Sequence, residues 1–337
     1  MPESLYSPAA IWRHPGKHHL LALENPWYRL VAGLQDVVSR ATTEFWTSNG
    51  GQTIHLPLTT GSISSPMGLG SDSLPVEVEL GGTPTYLADS MQFMLEYGCR
   101  LTGKSVYYIM PSFRGEQPDT SHLSQFFHSE AEVAGDLDTG IQVAEKYLVH
   151  LVRRVLEEEA DALAKAGGDL AKIESFAADP VFRRITFDEA AELVEGQGVQ
   201  QEAGWRTLTR EGERAVMDKL GEFTWITHWD HLSVPFYQAF ADGSEQRACN
   251  ADLLFGIGEV VGLGERHETS ADVRRALAVH DVSSEPYEWY CEMRDTVPLR
   301  TTGFGIGLER FFMWLLDHDD IRDMQLLPRA HGADIVP

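Results

Sequence analysis

A chain of 337 residues with 43% hydrophobic and 23% charged side chains can bury a sizeable core, which excludes a disordered or fibrous protein. Fifty-one acidic against 27 basic residues give a formal charge of −24, a field that repels polyanions, so nucleic acids are not expected as partners. There is no run of 18 apolar residues and no basic-then-apolar leader, so no membrane is expected and the location should be cytoplasmic; Cys99, Cys249 and Cys291 are too widely spaced for a zinc cluster or a disulfide framework.

Residues 1–20 read as an irregular arm, followed by a helix in "NPWYRLVAGLQDVVSRATTEFW" and a strand in "TIHLPL". The Gly-, Ser- and Pro-rich stretch "SISSPMGLGSDSLP" reads as a loop able to act as a lid. In "YLADSMQFMLEYG" the apolar residues Leu87, Met91, Met94 and Leu95 recur at helical spacing, with Gly98 as the stop, and "SVYYIM" beyond it is a strand. That order decides the reading of "GCRLTGKS", residues 98–105, which fits G-x-x-x-x-G-K-[ST]. A phosphate loop needs a strand before the glycines and a helix after them, and this segment has the reverse.

The hairpin "SVYYIMPSFRGEQPDTSHLSQFFHSEAEVAG" follows. Alternation puts Arg114 with Glu116 on one face, and His122, Phe126, His128 and Glu130 together on the return strand. The bland alternative is a wetted sheet face. A long helix stopping at Gly167, a strand near "RRITF" and a capped helix in "DEAAELV" come next. In "ACNADLLFGIGEVVGLGERHE", a turn at Phe255–Gly256 places Asp252 opposite Glu259, with Cβ atoms about 5 Å apart. Two carboxylates so close call for a cation, and Mg²⁺ is the natural one beside phosphates; a register differing by one residue would separate them. The glycines at 256, 258, 262 and 264 suggest a dinucleotide fingerprint, but no helix follows them. Finally, Gly303, Gly305 and Gly307 alternate through a strand into a helix carrying Glu309 and Arg310, a pattern for tight packing or for close approach of a ligand. Strands from both halves with helices between them make an α+β fold around a mainly antiparallel sheet.

Taken in order, these stretches resemble the signature motifs of class II aminoacyl-tRNA synthetases, nearest the aspartyl and asparaginyl branch. "HLPLTTG" resembles motif 1, "FRGE" with "HLSQFFHSEAE" motif 2, and "GFGIGLERF" motif 3, while "DSMQ" and "DLLFGIGEVVGLGER" resemble two further motifs of that branch. The resemblance implies a class II antiparallel sheet flanked by helices, with ATP as co-substrate and Mg²⁺ as its metal. It also implies roles for single residues. Arg114 would grip the α-phosphate and the attacking carboxylate, Glu116 would read the adenine amino group, and Phe126 and Arg310 would sandwich the ring. His122 would lie near the outer phosphates and Gly307 beside the nucleotide. Asp252 and Glu259 would hold Mg²⁺, and Arg266, with Ser90 and Gln92, would meet the amino-acid side chain. Motif 1 implies a homodimer.

Departures from the pattern shape the expected function. The resemblance leads one to expect an anticodon-binding β-barrel before the catalytic domain; here 21–337 reads as that catalytic domain alone, after the arm. Ser121 stands where motif 2 carries an arginine, "SSPMGLGSD" lacks an expected Glu, "GLGER" replaces G-G-S-Q-R, and "PLRTTG" replaces P-H-G-G with its His. The expected activity is therefore activation of aspartate or a related acid as its adenylate, with transfer to ammonia or a small amine, as in the stand-alone asparagine synthetases related to asparaginyl-tRNA synthetase. The alternative is aminoacyl transfer to tRNA or a carrier protein.

Overall fold

The computed structural model describes residues 6–64, 74–241 and 244–329. Its centre is an eight-stranded sheet of β1 (Gln52–Thr53), β2 (Val106–Phe113), β3 (Gln125–Ala134), β4 (Arg183–Thr186), β5 (Phe223–Thr227), β6 (Asn250–Phe255), β7 (Glu259–Glu265) and β8 (Thr301–Gly307). The spatial order is β1-β2-β3-β8-β7-β6-β5-β4. Only the two edge pairs, β1 with β2 and β4 with β5, run parallel. The remaining pairs are antiparallel, as the sequence pattern leads one to expect.

Five helices position the site: α1 (Pro26–Ser48), α2 (Gln92–Thr102), α3 (Leu137–Ala166), α4 (Arg210–Leu220) and α5 (Leu308–Leu316). Asn25 starts α1 by accepting a hydrogen bond from the Trp27 N–H at 2.8 Å, with Pro26 at the first helical position. Asp136 caps α3 through the Thr139 N–H, and Gly167, at φ 100°, ends it. One face of the sheet is the apolar core. Ala131 and Val133 of β3 join Trp46 of α1, Tyr147 of α3 and Phe304 of β8 there, and the Tyr147 hydroxyl bonds both Thr42 (2.6 Å) and Ser129 (2.7 Å). The alternate residues of β3 are Phe126, His128, Glu130 and Glu132, and they face the other way: the first three line a pocket and Glu132 is bonded to Arg266 of its wall.

Local differences from the sequence reading have physical causes. The segment 86–98 is not one helix: Leu87 closes a strand, Thr83–Leu87, paired with Val76–Leu80, and α2 starts at Gln92. Gly98 lies inside α2, where a Cβ would stand 2.6 Å from the Ile54 Cδ1, and the helix stops at Gly103 with φ 67°. The segment 98–105 is thus a helix end feeding β2, with Lys104 exposed, and the helix precedes the glycine turn instead of following it. Of "TIHLPL", residues 53–58, only Thr53 lies in a strand, Gln52–Thr53, and the next strand, Thr59–Thr60, starts just beyond it. The arm is partly ordered into helix: Ile11–Arg13 is a tight turn with Ile11 buried, His18–Glu24 is helical, and the Trp12 indole donates to Asp323 at 3.1 Å. The lid candidate falls largely on residues 65–73, outside the described residues. Among the described residues no helix is long and apolar enough to cross a membrane.

Candidate active site

The floor of the pocket is made of glycine. In the β7–β8 register Gly262 pairs with Gly305 and Gly264 with Gly303, so four glycines form a patch of bare backbone. Side chains from the walls fill the space above it. A Cβ at Gly264 would stand 1.5 Å from Gln238 Oε1, and one at Gly303 would stand 1.8 Å from Glu132 Oε2 and 2.3 Å from Arg266 Nη2. Of the two readings of these glycines, close approach wins over helix packing. The cavity above them has a volume of about 420 Å³, in the range of small-molecule sites.

One end of the cavity is a buried polar network. Arg266 donates from Nε and Nη2 to Glu132 (3.2 and 3.1 Å), from Nη2 to Gln92 Oε1 (2.6 Å) and from Nη1 to Gln238 Oε1 (3.2 Å), and its Cζ lies 4.9 Å from the Tyr237 ring centre. Gln92 donates in turn to the Phe304 carbonyl, and the Ser90 hydroxyl donates to Glu130 at 2.7 Å. Sequence reasoning found Ser90, Gln92 and Arg266, and the structure brings them together. It missed Gln238 and Glu132, whose placement depends on packing between distant elements. Burial raises the Glu130 pKa to about 7, against the hydrogen bonds from Ser90 and Met91.

The opposite end is cationic. Arg114 follows β2, its N–H donating to the Ser124 carbonyl, and its guanidinium lies 5.3 Å from the Phe126 ring centre with Nε unpartnered although buried. Arg114 and Glu116 sit in the connection rather than on the strand, so their nearness is due to a loop and not to pleat alternation. Glu116 Oε1 accepts the Leu74 N–H at 2.7 Å. His122 likewise precedes β3 and does not share the strand face assigned to it, though it lines the cavity. His128, opposite Gly307, is bonded to the Ser112 hydroxyl (2.8 Å) and held neutral: burial, then Arg114 and Arg310, push its pKa down to about 3. Glu309 accepts the Phe127 N–H on both oxygens (3.2 and 3.0 Å), anchoring β3 to α5, and Arg310 Nη1 donates to the Glu259 carbonyl at 2.8 Å.

The carboxylate pair survives a change of register. A bulge at Leu253/Leu254 pairs Leu254 with Glu259 and Asp252 with Gly262, so Asp252 is not directly opposite Glu259. Both carboxylates nevertheless converge over Gly262, where a Cβ would lie 3.3 Å from Glu259 Oε1 and 3.9 Å from Asp252 Oδ1. Burial, then Glu259 and Glu213, raise the Asp252 pKa well above the usual carboxylate range. Glu213 of α4, unforeseen in the sequence, has its own pKa raised to about 7 by burial and by Glu259. This donor set fits a divalent cation. Among the described residues no group of three Asp, Glu, His or Cys side chains is arranged to hold a metal unaided, so a ligand's oxygens would have to complete the shell.

The sequence profile of a family described as tRNA synthetases class II (D, K and N) matches residues 15–331. An asparagine–tRNA ligase of Thermoplasma acidophilum is 28% identical over 329 residues, covering 95% of this chain and 75% of the relative. One from Koribacter versatilis is 28% identical over 316 residues, covering 91% and 70%. The crystal structure of asparaginyl-tRNA synthetase from Pyrococcus horikoshii with asparaginyl-adenylate has a TM-score of 0.85 at 24% identity, covering 94% of this chain and 72% of that one. These relatives, named for tRNA, overturn the expectation drawn from charge that tRNA is not a partner. The value of −24 is a sum over the whole surface and does not fix the potential at any one patch.

Proposed function

Because the chain belongs to the class II tRNA synthetases of the D, K and N type, an AMP-forming ligase family, we propose that it activates an amino acid of the asparagine and aspartate type with ATP and transfers the aminoacyl group to tRNA. The observation that carries this reading is one cavity with unpaired guanidiniums at one end, converging carboxylates beside them and a polar side-chain pocket at the other end.

The substrate carboxylate attacks the α-phosphorus, the α–β P–O bond breaks and pyrophosphate leaves with the electron pair. Two anions must meet, so the work is charge neutralisation and alignment. Arg114, whose guanidinium lies over the Phe126 ring and has no carboxylate partner among the described residues, would take the α-phosphate. Phe126 and Arg310 offer faces to the adenine, and Glu116 an acceptor for its amino group. Asp252 and Glu259 would hold Mg²⁺, which supplies charge neutralisation at the phosphates when bound. Neutral His128 keeps a further charge away from the ring pocket.

Within that type, the pocket favours asparagine. Arg266 is already paired with Glu132, so a second carboxylate would add charge to a buried, compensated site, whereas an amide can exchange hydrogen bonds with Gln92 and Gln238. A homodimer, implied by the motif 1 resemblance, is checked by sedimentation.

The test is amino-acid-dependent ATP–pyrophosphate exchange with L-asparagine and L-aspartate, followed by charging of tRNA. Exchange with asparagine and charged tRNA is the expected result. Free asparagine made from aspartate and ammonium in the absence of tRNA would replace the tRNA reading with amide synthesis, and no exchange with either amino acid would overturn the activation step.

A further inference from the structure

Most arginines with access to a carboxylate in this acidic chain have one: Arg40, Arg206, Arg247, Arg266, Arg274 and Arg294 are all ion-paired. Arg210 is different. It occupies the first position of α4, where a cation meets the positive end of the helix, and it forms no ion pair among the described residues. Its Nη2 turns instead to the pocket rim, donating to the Ser121 hydroxyl and standing 3.3 Å from His122 Nδ1. Ser121 in turn donates to Asp119 at 2.7 Å. Asp119 Oδ1 also accepts the Ser121 and His122 N–H groups at 2.7 and 2.8 Å, so this oxygen is occupied without the guanidinium.

His122 therefore stands between two arginines. Burial lowers its pKa, and Arg310 and Arg210 lower it further against Asp119. Together Arg114, Arg310 and Arg210, none of them ion-paired among the described residues, form a run of guanidiniums from the cavity to its mouth suited to an extended polyanion.

We propose that Arg210 is a further phosphate-binding residue of this site, its guanidinium taking the outer phosphates of ATP and the pyrophosphate released from it. The inference rests on the ATP-activating reading above. Ser121, where the resembled motif carries an arginine, then serves as a bracket for a guanidinium delivered from another element.

The experiment is calorimetric titration of wild type, Arg210→Ala, Arg210→Lys and the double variant Arg210→Ala/Ser121→Arg with Mg²⁺-pyrophosphate, Mg²⁺-ATP and AMP. Loss of a charge-assisted hydrogen bond should weaken pyrophosphate and ATP binding about tenfold or more in Arg210→Ala, with AMP affinity and melting temperature unchanged. Arg210→Lys should lie between, and Ser121→Arg should restore part of the loss. Unchanged pyrophosphate affinity in Arg210→Ala, or equal weakening of AMP, would overturn the proposal. Wild type that binds ATP but for which Arg210→Ala is silent removes Arg210 alone, whereas wild type that binds neither ATP nor pyrophosphate removes the ATP reading itself.

Discussion

Arg266 commits four of its five N–H groups to Glu132, Gln92 and Gln238, which leaves a single donor on Nη1 for a ligand. Its charge is cancelled by Glu132, and that carboxylate is the lever on selectivity. Glu132→Gln should remove the nearer countercharge, leaving only Glu96 at 4.0 Å, and raise the ratio of aspartate to asparagine kcat/KM in pyrophosphate exchange by about tenfold, since buried charges left short of a partner are costly. An unchanged ratio would show that Glu132 only supports the fold. At the other end of the cavity, Arg114→Ala should lower exchange by about 10²- to 10³-fold, the usual cost of losing one positioned donor. Lys104→Ala should leave exchange unaltered, because Lys104 is exposed at the end of α2, away from the cavity. A folded but inactive Lys104→Ala protein would return the phosphate-loop reading.

The hairpin of β6 and β7 shows what a sequence reveals at the scale of elements and what it hides. The two runs and the nearness of Asp252 to Glu259 were readable, because alternation is a local signal. The turn, however, is not at Phe255–Gly256: Phe255 ends β6, its N–H donates to the Gly258 carbonyl, and the chain reverses over 256–258, where Gly256 and Gly258 take positive φ. The bulge at Leu253/Leu254 was not readable either, since one extra residue is fixed by what the neighbouring strands require and not by any residue type. In the same way the end of α3 at Gly167 was legible, while α2 runs through Gly98 because Ile54, far away in sequence, packs where a side chain would have been. Glu213 and Arg210 of α4 reach the site only through tertiary packing, and no periodicity marks them. The three motif stretches, by contrast, carried most of the site and its fold by resemblance. Gly303→Ala tests the floor they form: the added methyl would meet Glu132, Arg266 and Gln92, and displacing them should cost about 1–3 kcal/mol of stability together with most of the exchange activity. A variant with wild-type melting and activity would mean that the network yields freely.

Over the whole molecule, burial sets a balance of protons. His231, His267 and His280 pack together beneath the segment that carries Tyr237 and Gln238, with His231 donating to the Gln238 carbonyl and His267 to the Phe236 carbonyl. Burial holds their pKa values at about 3, 3 and 4. The unfolded chain takes up protons below pH 6.5 that these folded histidines refuse, so their contribution to stability falls as the pH drops from 6.5 toward 4. Glu130, Glu213 and Glu309, raised to about 7 chiefly by burial, act in the opposite sense: the folded chain keeps protons that the unfolded one releases, so their contribution rises on acidification from pH 7 to 4.5. His280→Gln should therefore flatten the acid side of a melting-temperature profile, by on the order of 2 kcal/mol at pH 5. A parallel profile would mean that His280 titrates normally in the folded state. The four-glycine floor has a consequence of another kind. Every single-base change in a glycine codon that alters the residue introduces a Cβ, and at positions 264 and 303 that atom would overlap side chains of the walls. Random mutagenesis would find those codons nearly immutable, and drift toward a new substrate would have to be written in Gln92, Gln238 and Glu132, the walls, while the floor stays silent.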